Sequence, residues 1–240
     1  MEFGEQLQHQ QEYFTKYAQG YDKAVSERLG YTPVKQALLR ILKKRGNFNQ
    51  DAKLLDIACG TGKLLELAKE ELSLKPEQLF GIDLTPAMID VAKNKPEIRG
   101  ASLVVGRVEE MPFRDGEFDL ITTTFSFHHF ASEKSMAEIK RVLKPGGILA
   151  IGDLCPPPPL SPKIFDKLLS LSGCGVGGYR NQAEISRFLT QNGFQPFYQN
   201  RVKGLVLLTL ASKLDLSAFA ENHECKLVDE CDIADTLSES

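Results

Sequence analysis

The chain has 240 residues, a formal net charge of −3, 42% hydrophobic and 25% charged residues, an ordinary composition for a globular protein in water. That balance offers no extended cationic surface for a phosphate backbone, so nucleic acid is disfavoured as the principal ligand. No run approaches the roughly 18 apolar residues of a membrane span, the first residues lack a secretory signal, and the five cysteines (59, 155, 174, 225 and 231) contain no CxxC pair, so a cytoplasmic protein with reduced thiols is expected.

In chain order, residues 1–48 read as a helical cap. Tyr13, Phe14, Tyr17, Tyr21 and Val25 recur near three- and four-residue spacing until Pro33 starts a second helix. The texture changes at Lys53, where short apolar runs at 54–58, 78–83, 102–106, 119–124 and 148–153 alternate with helical stretches at 61–73, 86–94 and 132–143. Continuous apolar strands alternating with helices predict an α/β fold with a parallel sheet covered on both faces, and ligands at the carboxyl ends of its strands. An irregular insert at 155–180 precedes a short helix at 181–191 and two strands at 194–200 and 202–210, which could close the sheet as an antiparallel pair. The main domain is therefore placed at 49–210. Residues 211–240 hold eight acidic side chains against two lysines, and are expected to form an acidic, weakly structured tail.

The strongest local signal is LLDIACGTGKLL at 54–65, a buried strand running through a glycine turn into an amphipathic helix. Gly60 and Gly62 would let the backbone bend and approach a ligand without a Cβ in the way. Asp83 follows at the end of the next strand, where a carboxylate can accept hydrogen bonds from both hydroxyls of a ribose. A nicotinamide dehydrogenase is the natural competitor, but GxGxxG needs a third glycine and position 65 is leucine. Asp56, just before the turn, would repel a pyrophosphate and attract a cationic amino acid moiety.

These segments, together with GIDLTPAMI, EEMPFRDGEFDLITTTFSFHHF and KRVLKPGGILAIGD, resemble the successive motifs of class I S-adenosylmethionine-dependent methyltransferases, most closely the small-molecule group containing the ubiquinone and menaquinone C-methyltransferases. The resemblance spans roughly residues 50–153. It implies a Rossmann-like, seven-stranded, mostly parallel sheet with helices on both faces, S-adenosyl-L-methionine as methyl donor, and a small, apolar acceptor. It also implies that Ala58, Cys59, Gly60 and Gly62 line the methionine part of the donor with Asp56 at the head of the motif. Asp83 would take the ribose, Leu84 and Met88 the adenine face, and Val108 and Glu109 the adenine edge. Thr124 and Phe125 would lie under the methionyl chain, and the Tyr21-Asp22 pair would close over it.

Two positions depart from the family pattern. Alanine stands at position 58 where glycine is usual, a change expected to be mild, since alanine tolerates close approach nearly as well in ordinary φ/ψ space. Arginine stands at position 107 where an aspartate is common, and cannot accept the adenine amino proton.

The cluster Phe125, Phe127, His128, His129, Phe130 follows the fourth predicted strand. Either histidine could act as a general base near neutral pH, yet a packing role is favoured, because methyl transfer to a good nucleophile needs mainly proximity and alignment. Tyr13, Tyr17 and Tyr21 fit a core stripe as well as a ligand lid. Pro156 to Pro159 could dock a protein partner, although a rigid spacer over the site is favoured. Gly173, Gly175, Gly177 and Gly178 read as a hinge. His223, Cys225 and Cys231 fall short of a four-ligand zinc pattern, so no metal is expected. The alternative to an enzyme is a non-catalytic protein of the same fold that binds the donor and acts through protein partners, by Pro156–Pro159 or the tail.

Overall fold

The computed structural model describes residues 11–24, 30–46, 48–170, 178–202 and 204–214. The expectations for Val25, for Gly173, Cys174, Gly175 and Gly177, and for His223, Cys225, Cys231 and the tail beyond 214 fall outside them.

The chain enters as a helix over 11–17 (α1) that tightens into a 3-10 turn, Ala18–Lys23, and then forms α2, Thr32–Arg45, with Pro33 in its first turn. Proline lacks the N–H that a first helical turn leaves unbonded, so the restart falls where the sequence places it. The alternating series follows as β1 (Leu54–Ile57), α3 (Lys63–Glu71), β2 (Leu79–Asp83), α4 (Pro86–Lys93), β3 (Ser102–Val105), β4 (Phe118–Thr124), the single turn α5 (Phe127–Phe130), α6 (Glu133–Val142) and β5 (Leu143–Leu154). Then come α7 (Pro162–Ser170), α8 (Gln182–Gln191), β6 (Phe194–Val202) and β7 (Val206–Lys213).

The seven strands form one sheet in the order β3-β2-β1-β4-β5-β7-β6. All neighbours are parallel except β7, which runs antiparallel to both β5 and β6. The central strands are buried on both faces, and successive residues go to opposite cores: Leu54 packs with α2, α3 and α4, and Leu55 with α6 and α8. On β7, Leu208 and Leu210 join the first cluster while Leu207 and Ala211 join the second, the two-residue period of a pleated strand.

Three details correct the expectations. Lys144 to Gly147 form a bulge inside β5, which pairs Phe118 with Leu143 and then Leu120 with Ile148; Gly146 supplies the positive φ of 70° that this detour needs. The insert is not irregular throughout, since Pro162–Ser170 is helical, the Ser161 hydroxyl accepts from the Ile164 N–H at 3.4 Å, and Phe165 is buried. β7 continues to Lys213, three residues past the expected end, because Phe194 pairs with it.

Candidate functional site

Strand order reverses between β1 and β4: β1 leads outward through β2 and β3, β4 through β5, so their carboxyl ends diverge and leave a crevice. A cavity opens there, floored by Asp56, Ala58, Cys59 and Gly60, walled by Asp83, Leu84, Met88, Val108 and Glu109 on one side and by Thr124, Phe125, His129 and Phe130 on the other, and roofed by Gln11, Phe14, Tyr21, Tyr31 and Lys35.

Asp56 is buried in the centre of the sheet, and its Oδ1 accepts a hydrogen bond from the Thr122 hydroxyl at 2.8 Å. Loss of water pushes its pKa up to about 7, against the opposing effects of Thr122 and of the Lys35 ammonium, with the nearby Asp83 adding to the rise. Asp83 is engaged on both oxygens: Oδ2 accepts from the Gly60 N–H and Oδ1 from the Thr85 N–H, each at 2.8 Å. Burial raises its pKa and these backbone donors oppose the rise. A carboxylate offers about four acceptor directions, so both oxygens retain capacity toward the cavity.

The β1 turn has a left-handed backbone at Ala58 (φ 55°), Gly60 (φ 54°) and Gly62 (φ 74°). The two glycines do different jobs. No atom lies within 4 Å of where a Gly60 Cβ would stand, whereas a Cβ on Gly62 would meet Ile98 Cδ1 at 2.8 Å and Ala92 Cβ at 3.3 Å. Gly60 thus leaves room in the cavity, and Gly62, outside the lining, lets α3 pack closely on α4. Ala58 is not in the ordinary backbone region, so alanine there carries a conformational cost of about 1 kcal/mol. The Cys59 thiol is buried, and its pKa is raised well above the ordinary value by burial and by the charges of Asp83 and Asp56, which leaves it unreactive.

Arg107 turns its guanidinium to Glu109, Nε to Oε2 at 3.4 Å, so the two residues flanking Val108 share charge at the cavity edge. Across the crevice Phe125 also has a positive φ of 56°; its N–H donates to the Gly152 carbonyl at 2.8 Å, and its ring lies 4.3 Å from that of Tyr31.

The cap is fastened to these turns. Gln11 Nε2 donates to the Leu84 carbonyl at 2.8 Å, the Thr61 hydroxyl donates to Asp22 Oδ1 at 2.5 Å, and Lys95 pairs with the other Asp22 oxygen. Burial alone would raise the Asp22 pKa, but the Lys95 and Thr61 hydrogen bonds outweigh it and the pKa is lowered. Phe14 and Tyr21 face the cavity, while Tyr13 and Tyr17 are 39% and 47% exposed and contact each other; the tyrosine stripe is therefore split between the cavity and the surface.

The two histidine rings lie 3.9 Å apart, yet only one of them lines the cavity. His128 is turned from the cavity, its Nδ1 at 2.8 and 2.9 Å from the two Asp153 oxygens, its N–H also bonded to Asp153, and its ring stacked 4.1 Å from Tyr179. His129 lines the cavity. Burial, and secondarily His128, lowers its pKa to about 4, so its imidazole is neutral at pH 7.

Of the residues singled out from sequence, Tyr21, Asp56, Ala58, Cys59, Gly60, Asp83, Leu84, Met88, Val108, Glu109, Thr124, Phe125 and His129 line one cavity, and Gly62 and His128 do not. Sequence reasoning missed Gln11, Tyr31 and Lys35. For Lys35 a signal existed: it occupies an inward register with Leu39 and Leu42 on α2, where an amphipathic helix ordinarily carries an apolar residue. Among the described residues no group of three or more His, Cys, Asp or Glu side chains could hold a metal ion, and no helix is long and apolar enough to cross a membrane.

Residues 55–151 match the family described as a methyltransferase domain. The chain is 38% identical over 109 residues to the demethylmenaquinone methyltransferase of Thermus thermophilus, an alignment covering 44% of this chain and 49% of the relative; the chain thus spans about half the length of the curated relatives it matches. Among solved structures, an S-adenosylmethionine-dependent methyltransferase from Aquifex aeolicus superposes with a TM-score of 0.63 at 20% identity, covering 83% of this chain and 98% of that one. Geranyl diphosphate C-methyltransferase from Streptomyces coelicolor, in complex with Mg2+, geranyl-S-thiolodiphosphate and S-adenosyl-L-homocysteine, superposes with a TM-score of 0.64 at 17% identity, covering 81% of each chain. At these identities the structures show a shared fold.

Proposed function

Residues 55–151 being a class I methyltransferase domain that resembles the quinone methyltransferases, we propose that the chain binds S-adenosylmethionine in the crevice and transfers its methyl group to an oxygen, nitrogen or carbon atom of a small, apolar acceptor. One observation carries this reading: the cavity holds two carboxylates, the buried Asp56 and the partly buried Asp83, and the Gly60 N–H that a pyrophosphate would need is already given to Asp83. Such a turn suits a ligand with a cationic end and a vicinal diol, and opposes an anionic one.

The donor supplies an activated methyl on a sulfonium; the chain's residues supply position and desolvation. Asp56 meets the ammonium and Asp83 takes the ribose hydroxyls with its remaining lone pairs. Ala58, Cys59 and Gly60 lie along the methionyl chain, Leu84, Met88 and Val108 against the adenine, and Glu109 at its edge. Thr124 and Phe125 form the wall beneath the reacting end. Phe14, Tyr21 and Tyr31 close the cavity from the cap and keep water off the reacting atoms. His129 is neutral and weakly basic, so it packs beside the site and is not assigned a proton transfer; His128 positions the α5 turn through Asp153.

The acceptor class is supported by the aromatic cap and by relatives named demethylmenaquinone methyltransferase and phthiotriol/phenolphthiotriol dimycocerosates methyltransferase. Pro156 is buried and its carbonyl accepts from Arg201 at 3.0 Å, while Leu160 N–H bonds to the Pro157 carbonyl; this fits a spacer beside the site better than an extended docking peptide. The test is transfer of labelled methyl to a demethylated isoprenoid hydroquinone and, in parallel, to sarcosine. Label in the organic phase is expected. Label in the sarcosine product alone would exclude the apolar acceptor, and donor binding without label in any acceptor from a lipid extract would favour the non-catalytic reading.

A further inference from the structure

Asp56 at the floor of the cavity suits a cationic end, but an amino acid end brings a carboxylate with its ammonium. That second charge would stand beside Asp56 and Asp83 and be repelled unless a cation met it. Two Lys or Arg side chains line the cavity among the described residues, Arg107 and Lys35. Arg107 follows β3, at the far wall, and is paired with Glu109. Lys35 stands over the near end: its charge acts on the carboxyls of both Asp56 and Asp22. It is 9% exposed, in the first turn of the 14-residue helix α2, whose preceding residue Tyr31 packs on Phe125.

The location is fixed by packing. Val34, the neighbour of Lys35, is 2% exposed and sits over Gly152 of β5, its Cγ1 3.7 Å from where a Cβ would be. A lysine so held has little freedom to leave the site for solvent, and the partial positive charge of the α2 amino terminus adds to its field.

We propose that Lys35 binds the α-carboxylate of the methyl donor, so that the amino acid end is gripped from two elements: Asp56 of β1 on the ammonium and Lys35 of α2 on the carboxylate. This assignment rests on the donor reading given above. It makes the cap part of the donor site and sets a requirement for the whole amino acid group, beyond its positive charge.

Decarboxylated S-adenosylmethionine, which keeps the sulfonium and ammonium and lacks only the carboxylate, separates this role from simple neutralisation of Asp56. With the full chain in calorimetric titrations, the wild type is expected to bind S-adenosylmethionine about tenfold to a hundredfold tighter than the decarboxylated compound, the range for one charge-assisted hydrogen bond. Lys35→Met should remove that preference while still binding the decarboxylated compound, which also shows that the pocket is intact, and Lys35→Arg should restore part of it. A wild type with no preference, or a Lys35→Met variant that loses both ligands equally, would overturn the assignment. A wild type that binds neither compound would bring down the donor reading itself, and this assignment with it.

Discussion

The turns after β1 and β4 stand on either side of the crevice, and both force a non-glycine residue into the left-handed region, Ala58 at φ 55° and Phe125 at φ 56°. Their chemistry is opposite. The β1 turn is tied by polar groups, with Asp83 on Gly60 and Asp22 of the cap on Thr61. The β4 turn is tied by rings, Phe125 against Tyr31 and Phe127 against Phe130 and Phe188. The same backbone strain thus serves two ends: one turn presents charge and amide groups to a polar ligand, the other presents apolar surface where an acceptor would lie.

The largest expected effect probes the polar turn through Asp56. Its native pKa is raised to about 7 against 3.8 in the unfolded chain. The native state therefore keeps a proton that the unfolded state releases, so the stability this group contributes is full below pH ~4 and is lost as pH rises through about 7. The loss is on the order of 4 kcal/mol. Asp56→Asn should flatten that part of the stability profile in denaturant titrations at several pH values; an unchanged slope would mean that Asp56 does not carry it.

On the aromatic side, Phe125→Gly relieves the backbone but removes the Tyr31 contact, and a net loss of about 1–2 kcal/mol is expected. Asp22→Asn should cost about 1 kcal/mol at pH 7 by loosening the cap on the polar turn. Because the Asp22 pKa is lowered, its contribution is present above pH ~4 and fades as pH falls through the native value. Salt at about 1 M should weaken the wild type relative to Asp22→Asn but leave the Phe125→Gly difference untouched; equal salt responses would erase the contrast between the turns. The smallest effect has the opposite sign: Ala58→Gly should raise stability by about 0.5–1 kcal/mol, seen as a higher melting temperature, since glycine meets no steric cost at that φ.

Much of this arrangement was legible in sequence because it rests on local rules. Alternating apolar strands and helices give the parallel sheet, and the glycine turn followed by Asp83 marks the crevice. What could not be read arises from long-range placement. Nothing in FHHF tells which histidine faces the cavity; Asp153, 25 residues away, binds His128, and His129 is the one in the lining. The backbone of Ala58 is hidden for the same reason, since alanine gives no hint of a positive φ that the following strand imposes through Asp83 and Gly60. The helix at 162–170 was obscured by the prolines before it. The Asp22 link to Thr61 and Lys95 joins segments 39 and 73 residues apart, beyond any local pattern.

The central claim is that the two carboxylates make this crevice a site for a sulfonium nucleoside, and calorimetric titration with S-adenosylmethionine and with NAD, in the wild type and in Asp83→Ala, tests it most directly. The account predicts micromolar binding of the sulfur nucleoside, weakened about a hundredfold in the variant, and no binding of the dinucleotide. Binding of NAD in preference, or nucleoside binding indifferent to Asp83, would contradict it.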